Sequence, residues 1–158
     1  MRKFTTSIAA VSALILFQSA ATAATGTVPF AGIVTATCVL TVGTPGVMSA
    51  STDFASLSSV NAGGASGTVS ALSTGTAFKV SAIAPTSFTA SPAGGGASVS
   101  FNALYKGSGA TSIGPTPGAT TTTLNSGLTN LSVDLSATKS VGTFDAGAYA
   151  AEVIVRCE

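Results

Sequence analysis

Few side chains of this protein can do chemistry. Its 158 residues include no histidine, so the commonest general base and metal ligand is missing. The five carboxylates are scattered, without the acidic loop that binds calcium. Asp134 and Asp145 are the pair that could meet in space as the two carboxylates of a glycosidase, but solvated loop and edge positions are the favoured interpretation. We therefore predict a protein that is not an enzyme and uses no metal or cofactor.

The only two cysteines are Cys38 and Cys157. Two thiols cannot complete a zinc site, which leaves a disulfide or two free buried thiols. An oxidising compartment favours the disulfide. A bond between Cys38 and Cys157 would make the two ends of the domain neighbours in space.

The N-terminus has the features of a secretory signal. Arg2 and Lys3 form a basic start, residues 8–17 are almost entirely apolar, and residues 21–23 read Ala-Thr-Ala before the expected cleavage. The apolar run is shorter than the roughly 20 residues that span a bilayer. We expect residues 1–23 to be a signal peptide, residues 24–158 to form a single exported domain, and no part of that domain to insert into a membrane.

The low charge of the protein argues against two classes of partner, nucleic acid and anionic membrane surfaces. Six Lys and Arg residues stand against five Asp and Glu residues, so the formal net charge is only +1. Binding to nucleic acid or to an anionic membrane surface needs clustered positive charge. Neither partner is expected.

The cysteines sit in two segments whose apolar residues alternate with a period of two. In the last segment Tyr149, Val153, Val155 and Cys157 share one face, and from residue 26 to residue 42 the face of Cys38 is also the more apolar one. A period of two predicts a strand with one buried face. We therefore predict a strand at each end of the domain.

The middle of the chain predicts further short strands. Residues 99–105 and 128–135 alternate clearly, and residues 67–72 and 76–83 resemble a hairpin. Residues 107–123, with two prolines and four glycines, predict a long loop with an edge strand at 120–124. Turn signals recur about every 8–12 residues, which is typical of an all-β antiparallel sandwich of about seven to nine strands.

Residues 26–38 match the pattern G-T-V-x-F-x-G-x-V-x-A-x-C. This segment resembles the start of type 1 fimbrial subunits, the pilins assembled by the chaperone and usher route. The closing segment, residues 146–155, resembles the last strand of the same family and of spore-coat-U-like secreted proteins. About 25 residues carry the resemblance.

The resemblance implies an immunoglobulin-like sandwich that lacks one strand and receives it from the N-terminal extension of the next subunit. Main-chain hydrogen bonds and pocket-filling side chains hold such a strand. The implied residues are the donor-strand residues Val28, Phe30, Gly32 and Val34, within residues 24–37, and the acceptor-edge residues Tyr149, Val153 and Val155. The implied partners are further copies or homologous subunits, a periplasmic chaperone and an outer-membrane usher, and the implied location is a fimbria on the cell surface.

A competing arrangement stays open. If Cys38 pairs with Cys157 in a parallel register, Val34 would face Val153 and Phe30 would face Tyr149. The domain would then complete its own sandwich, as a secreted coat or matrix protein or a carbohydrate-binding adhesin would. Tyr149 also has two interpretations, because its hydroxyl could bond nearby backbone as in a tyrosine corner or its ring could simply pack in the core.

Overall fold

The computed structural model describes residues 23–158, and the predicted signal peptide, apart from Ala23, lies outside them. Residues Ile33–Glu158 form the folded domain, which is all-β without a helix. Its strands are β1 (Cys38–Val42), β2 (Ser49–Ala50), β3 (Ser56–Ser58), β4 (Gly67–Ser73), β5 (Lys79–Ile83), β6 (Val99–Gly109), β7 (Ile113–Pro117), β8 (Thr122–Thr123), β9 (Gly127–Lys139) and β10 (Ile154–Cys157). All pairings between them are antiparallel, as the alternation predicts.

The larger sheet is organised around β9. Strand β6 pairs along one edge of β9, and β4 and β3 share the other edge. Strand β1 extends the sheet beyond β4, β2 extends it beyond β3, and β7 extends it beyond β6. The inward residues of β9 from Thr129 to Ala137 are buried at every second position, so the period of two in the sequence continues through its 13 residues.

The smaller sheet has the order β10-β5-β8. Its inward residues share one core with the larger sheet: Val80 and Ala82 of β5 pack in the same cluster as Val69, Leu131 and their neighbours. A second cluster gathers Leu57, Ala137 and Phe144 with several half-buried aromatic residues. The two sheets therefore form two layers with apolar side chains between them.

Two sequence predictions of local structure are wrong. Strands β4 and β5 do not form a hairpin, because β4 pairs with β1 and β9 while β5 pairs with β10 and β8. The connection between them crosses from one sheet to the other. The predicted long loop contains β7, where Pro115 and Pro117 are tolerated because β7 pairs with β6 alone, leaving its other edge free.

Tyr105 joins the two layers through one buried hydroxyl. Its Oη lies 2.9 Å from the carbonyl oxygen of Thr120, 3.2 Å from that of Val80 and 2.6 Å from the hydroxyl of Thr122. The phenol can donate only one proton, to a carbonyl, so the Thr122 hydroxyl donates to it. Strand β6 of the larger sheet is thereby bonded to β8, and the Tyr105 hydroxyl also lies within hydrogen-bonding distance of β5.

We predict that Tyr105→Phe lowers the free energy of unfolding by about 1–3 kcal/mol, because buried polar groups lose their partner while the ring is retained. Urea denaturation measures this change. Tyr149→Phe is the matched control, since the Tyr149 hydroxyl donates a single 3.1 Å bond in exposed surroundings and its loss should be smaller. Equal losses in the two variants would contradict the assigned role of Tyr105.

Candidate functional site

Two strand edges face each other without hydrogen-bonding. Within residues 23–158, β1 pairs only with β4 and β10 pairs only with β5. Their other edges therefore carry main-chain N–H and C=O groups without a strand partner. Unpaired edges of this kind accept an additional strand readily.

A groove of about 580 Å³ lies between these two edges. Its lining is mainly apolar and comprises Leu40 and Val42 on the β1 wall, Val69, Val133 and Leu135 on the floor, Ala151, Val153 and Val155 on the β10 wall, and Val47 and Met48 at the β1–β2 connection. The side chain of Val42 is 77% exposed and that of Val47 is 52% exposed. The groove thus leaves apolar surface uncovered next to unpaired backbone, and we call it the acceptor groove.

The acceptor groove carries little charge. Glu152 is the one charged residue in its lining, and it is exposed. Ser59 is also present, but its hydroxyl donates to Asp134 at 2.8 Å and it is buried. A segment that fills the groove must therefore be apolar and uncharged, because a charge would lose hydration without gaining a partner.

A disulfide between Cys38 and Cys157 closes one end of the groove, which confirms the predicted pairing. The Cα atoms of the two residues are 6.3 Å apart. Strand β1 begins at the bridge and β10 ends at it, so the two walls extend side by side from the bridge with opposite chain directions. Such a bond is typical of oxidising compartments outside the cytoplasm.

The predicted acceptor-edge residues occupy two places. Val153 and Val155 line the groove, whereas Tyr149 packs in the second cluster, with ring centroids 5.1 Å from Phe88 and 5.3 Å from Phe144. Its hydroxyl also donates to the Asp145 carbonyl at 3.1 Å, a bond to nearby backbone. Leu40 and Val42 were recognisable in the sequence because they share the face of Cys38. Val133 and Leu135 of the floor alternate along a predicted strand, but no sequence signal places that strand beside β1 and β10.

The predicted donor-strand residues belong to no strand. Residues 23–37 have no regular structure, and Phe30 is 94% exposed, Val28 70% and Val34 81%. An added Cβ at Gly32 would meet nothing within 4 Å. The strand predicted from residue 26 therefore begins only at Cys38, because alternation alone cannot hold a strand that has no neighbouring strand. The alternative register, with Val34 opposite Val153, is not formed.

The chain immediately before β1 is tied to Thr74. The Thr74 hydroxyl donates to the Thr35 carbonyl at 2.7 Å and accepts from the Thr37 amide at 2.7 Å, and the Thr74 amide donates to the Thr37 carbonyl at 2.9 Å. These bonds hold residues 35–37 beside the end of β4. The free part of the extension therefore ends at Val34.

The two carboxylates considered in the sequence, Asp134 and Asp145, lie in different surroundings. Asp134 accepts hydrogen bonds from Ser59 at 2.8 Å and from Ser66 at 2.5 Å, while Asp145 lines a separate pocket of about 410 Å³ beside Phe54, Phe144 and Tyr149. Within residues 23–158 no three His, Cys, Asp or Glu side chains form a metal-binding group.

Asp53 lies in an exposed turn outside the groove. The Ser51 hydroxyl and the Ala55 amide donate to its carboxylate and lower its pKa below the usual value. The turn therefore keeps these bonds at neutral pH and loses them only when acid protonates Asp53 below that usual value.

Comparison with known protein families, curated proteins and solved structures finds no match to this chain. Within residues 23–158, no helix has the length and apolar character needed to cross a membrane.

We predict that replacing Cys38 and Cys157 together by serine lowers the free energy of unfolding by up to about 5 kcal/mol, because the bond closes a loop of 119 residues in the unfolded chain. Denaturant titration with and without reductant measures the effect. Reductant should destabilise the wild type and leave the double variant unchanged. Equal stability of oxidised and reduced wild type would contradict the prediction.

Proposed function

We propose that this protein is a structural subunit of an extracellular fimbria or related surface polymer, assembled by β-strand donation. The observation that carries the proposal is the acceptor groove, which combines apolar lining with two unpaired strand edges. The same chain carries a free extension whose apolar residues alternate. One copy therefore offers both halves of an intermolecular sheet.

The acceptor groove and the N-terminal extension match chemically. A strand lying between β1 and β10 would satisfy main-chain groups on both walls, and its alternate side chains would cover Val42 and Val155. The extension from residue 24 to residue 34 has no charged side chain, as the sparsely charged groove requires. Burying the Phe30 ring, 94% exposed before insertion, would contribute about 2–3 kcal/mol.

In this proposal the domain is an immunoglobulin-like sandwich that is complete only after strand insertion. Before assembly its groove would be an aggregation hazard, since apolar surface and open edges attract other chains. A periplasmic chaperone that covers the groove and an outer-membrane usher that exchanges chaperone for subunit are the partners proposed with this function. The protein would act by assembly and catalyse no reaction.

We predict that the exported protein forms a ladder of oligomers in unheated SDS gels that collapses to a monomer on heating. Deletion of residues 24–34 should abolish the ladder, because no donor strand remains, and leave a chain that is folded or held by a chaperone. A wild type that is only monomeric, with a deletion variant that unfolds, would instead indicate a self-complete secreted domain.

Single substitutions separate the two halves of the contact. Phe30→Asp should prevent a chain from donating while leaving its groove intact, and Val42→Asp should prevent a chain from accepting while leaving its extension intact. Each variant alone should be monomeric, and an equimolar mixture should stop at the dimer, because only the Val42→Asp chain donates and only the Phe30→Asp chain accepts. Gel filtration measures the sizes.

Matched controls lie on the opposite faces. Val39→Asp changes an exposed valine on the other face of β1, and Ala31→Asp changes the other face of the extension. Both variants should form the wild-type ladder. Long oligomers in the Phe30→Asp and Val42→Asp mixture would contradict donation of one strand into one groove.

A further inference from the structure

The disulfide limits how far a strand can enter the acceptor groove. Neighbouring strands in a sheet lie about 4.8 Å apart, so walls that hold a strand between them must be separated by about 9.6 Å. At the bridge the Cα atoms of Cys38 and Cys157 are only 6.3 Å apart. A third strand cannot pass between them.

The groove lining begins one inward position beyond each cysteine, at Leu40 on β1 and at Val155 on the opposite wall. From Val155 the lining of that wall continues back to Ala151. Five residues of extended chain cover about 13 Å from first to last and point two or three side chains to one face. The groove is therefore a wedge, closed at the bridge, that accommodates about three inward side chains of an inserted strand.

The extension is longer than this wedge. Its four same-face residues, Val28, Phe30, Gly32 and Val34, extend over seven positions, or about 20 Å from first to last. Val34 is also next to Thr35, whose carbonyl is bonded to Thr74 of its own domain. A connector is needed between a strand seated in one domain and a residue fixed in the next.

We propose that the bridge restricts the donated strand to residues 28–32 of a second copy, seating Val28, Phe30 and Gly32 and leaving Ile33 and Val34 as the connector between domains. This proposal rests on strand donation as the function. Pro29 has no N–H, so one main-chain hydrogen bond to a wall is missing from the seated segment. The disulfide thus sets the register of assembly as well as stabilising the domain.

The test is an aspartate scan of the extension in the full exported chain. Val28→Asp and Phe30→Asp should reduce the oligomer fraction at least about tenfold, because a buried unpaired charge opposes insertion. Val34→Asp and the control Thr27→Asp should both keep an oligomer fraction within about twofold of the wild-type value, because both positions lie outside the inserted segment. Circular dichroism verifies that each variant is folded, as expected for changes outside the domain.

If Val34→Asp abolishes assembly as strongly as Val28→Asp, all four residues are seated and the bridge sets no limit, although strand donation would stand. If the wild type itself is monomeric, strand donation is wrong, and the restriction of the donated strand to residues 28–32 is wrong with it. A photo-crosslinking residue gives a second measurement in the assembled wild-type background. Placed at position 30 it should capture Val42 or Val153 of another copy, and placed at position 34 it should capture neither; capture from position 34 would overturn the proposal.

Discussion

The covalent bond between Cys38 and Cys157 holds together two strands that no hydrogen bond joins. Strand β1 belongs to the larger sheet and β10 to the smaller one, and each has a free edge toward the other. Without the bridge, only side-chain packing would keep these edges close at this end. With the bridge, the two layers are joined at one end of the groove, and the groove has a closed and an open end.

The core provides the second connection between the layers. Tyr105 extends from β6 to backbone and side-chain oxygens of the smaller sheet and its flanking segment, and it is 1% exposed. Within residues 23–158 no buried side-chain polar atom lacks a hydrogen-bond partner. The groove differs from the rest of the domain in bringing two unpaired strand edges together beside exposed apolar side chains such as Val42 and Val47.

This contrast explains why the groove, rather than any cluster of reactive side chains, is the candidate site. The side chain of Val42 is mostly exposed although it is aliphatic and belongs to a strand. Exposure of such a side chain to water is unfavourable, and burial by a partner strand would therefore stabilise the assembled state. The N-terminal extension has the complementary property, because its apolar side chains are exposed on a segment without strand neighbours.

The sequence by itself determined the all-β class, the alternating faces of the last strand and the pairing of the only two cysteines. These features depend on local periodicity and on the count of thiols, so they need no knowledge of distant contacts. It also indicated Val153 and Val155, which share the face of Cys157. Tertiary structure alone decided that β4 and β5 lie in different sheets, that β7 forms at a free edge despite its prolines, and that Tyr149 packs away from the groove. The physical reason is that a strand obtains its hydrogen bonds from residues far along the chain, and alternation specifies which face is apolar but not which strand lies beside it.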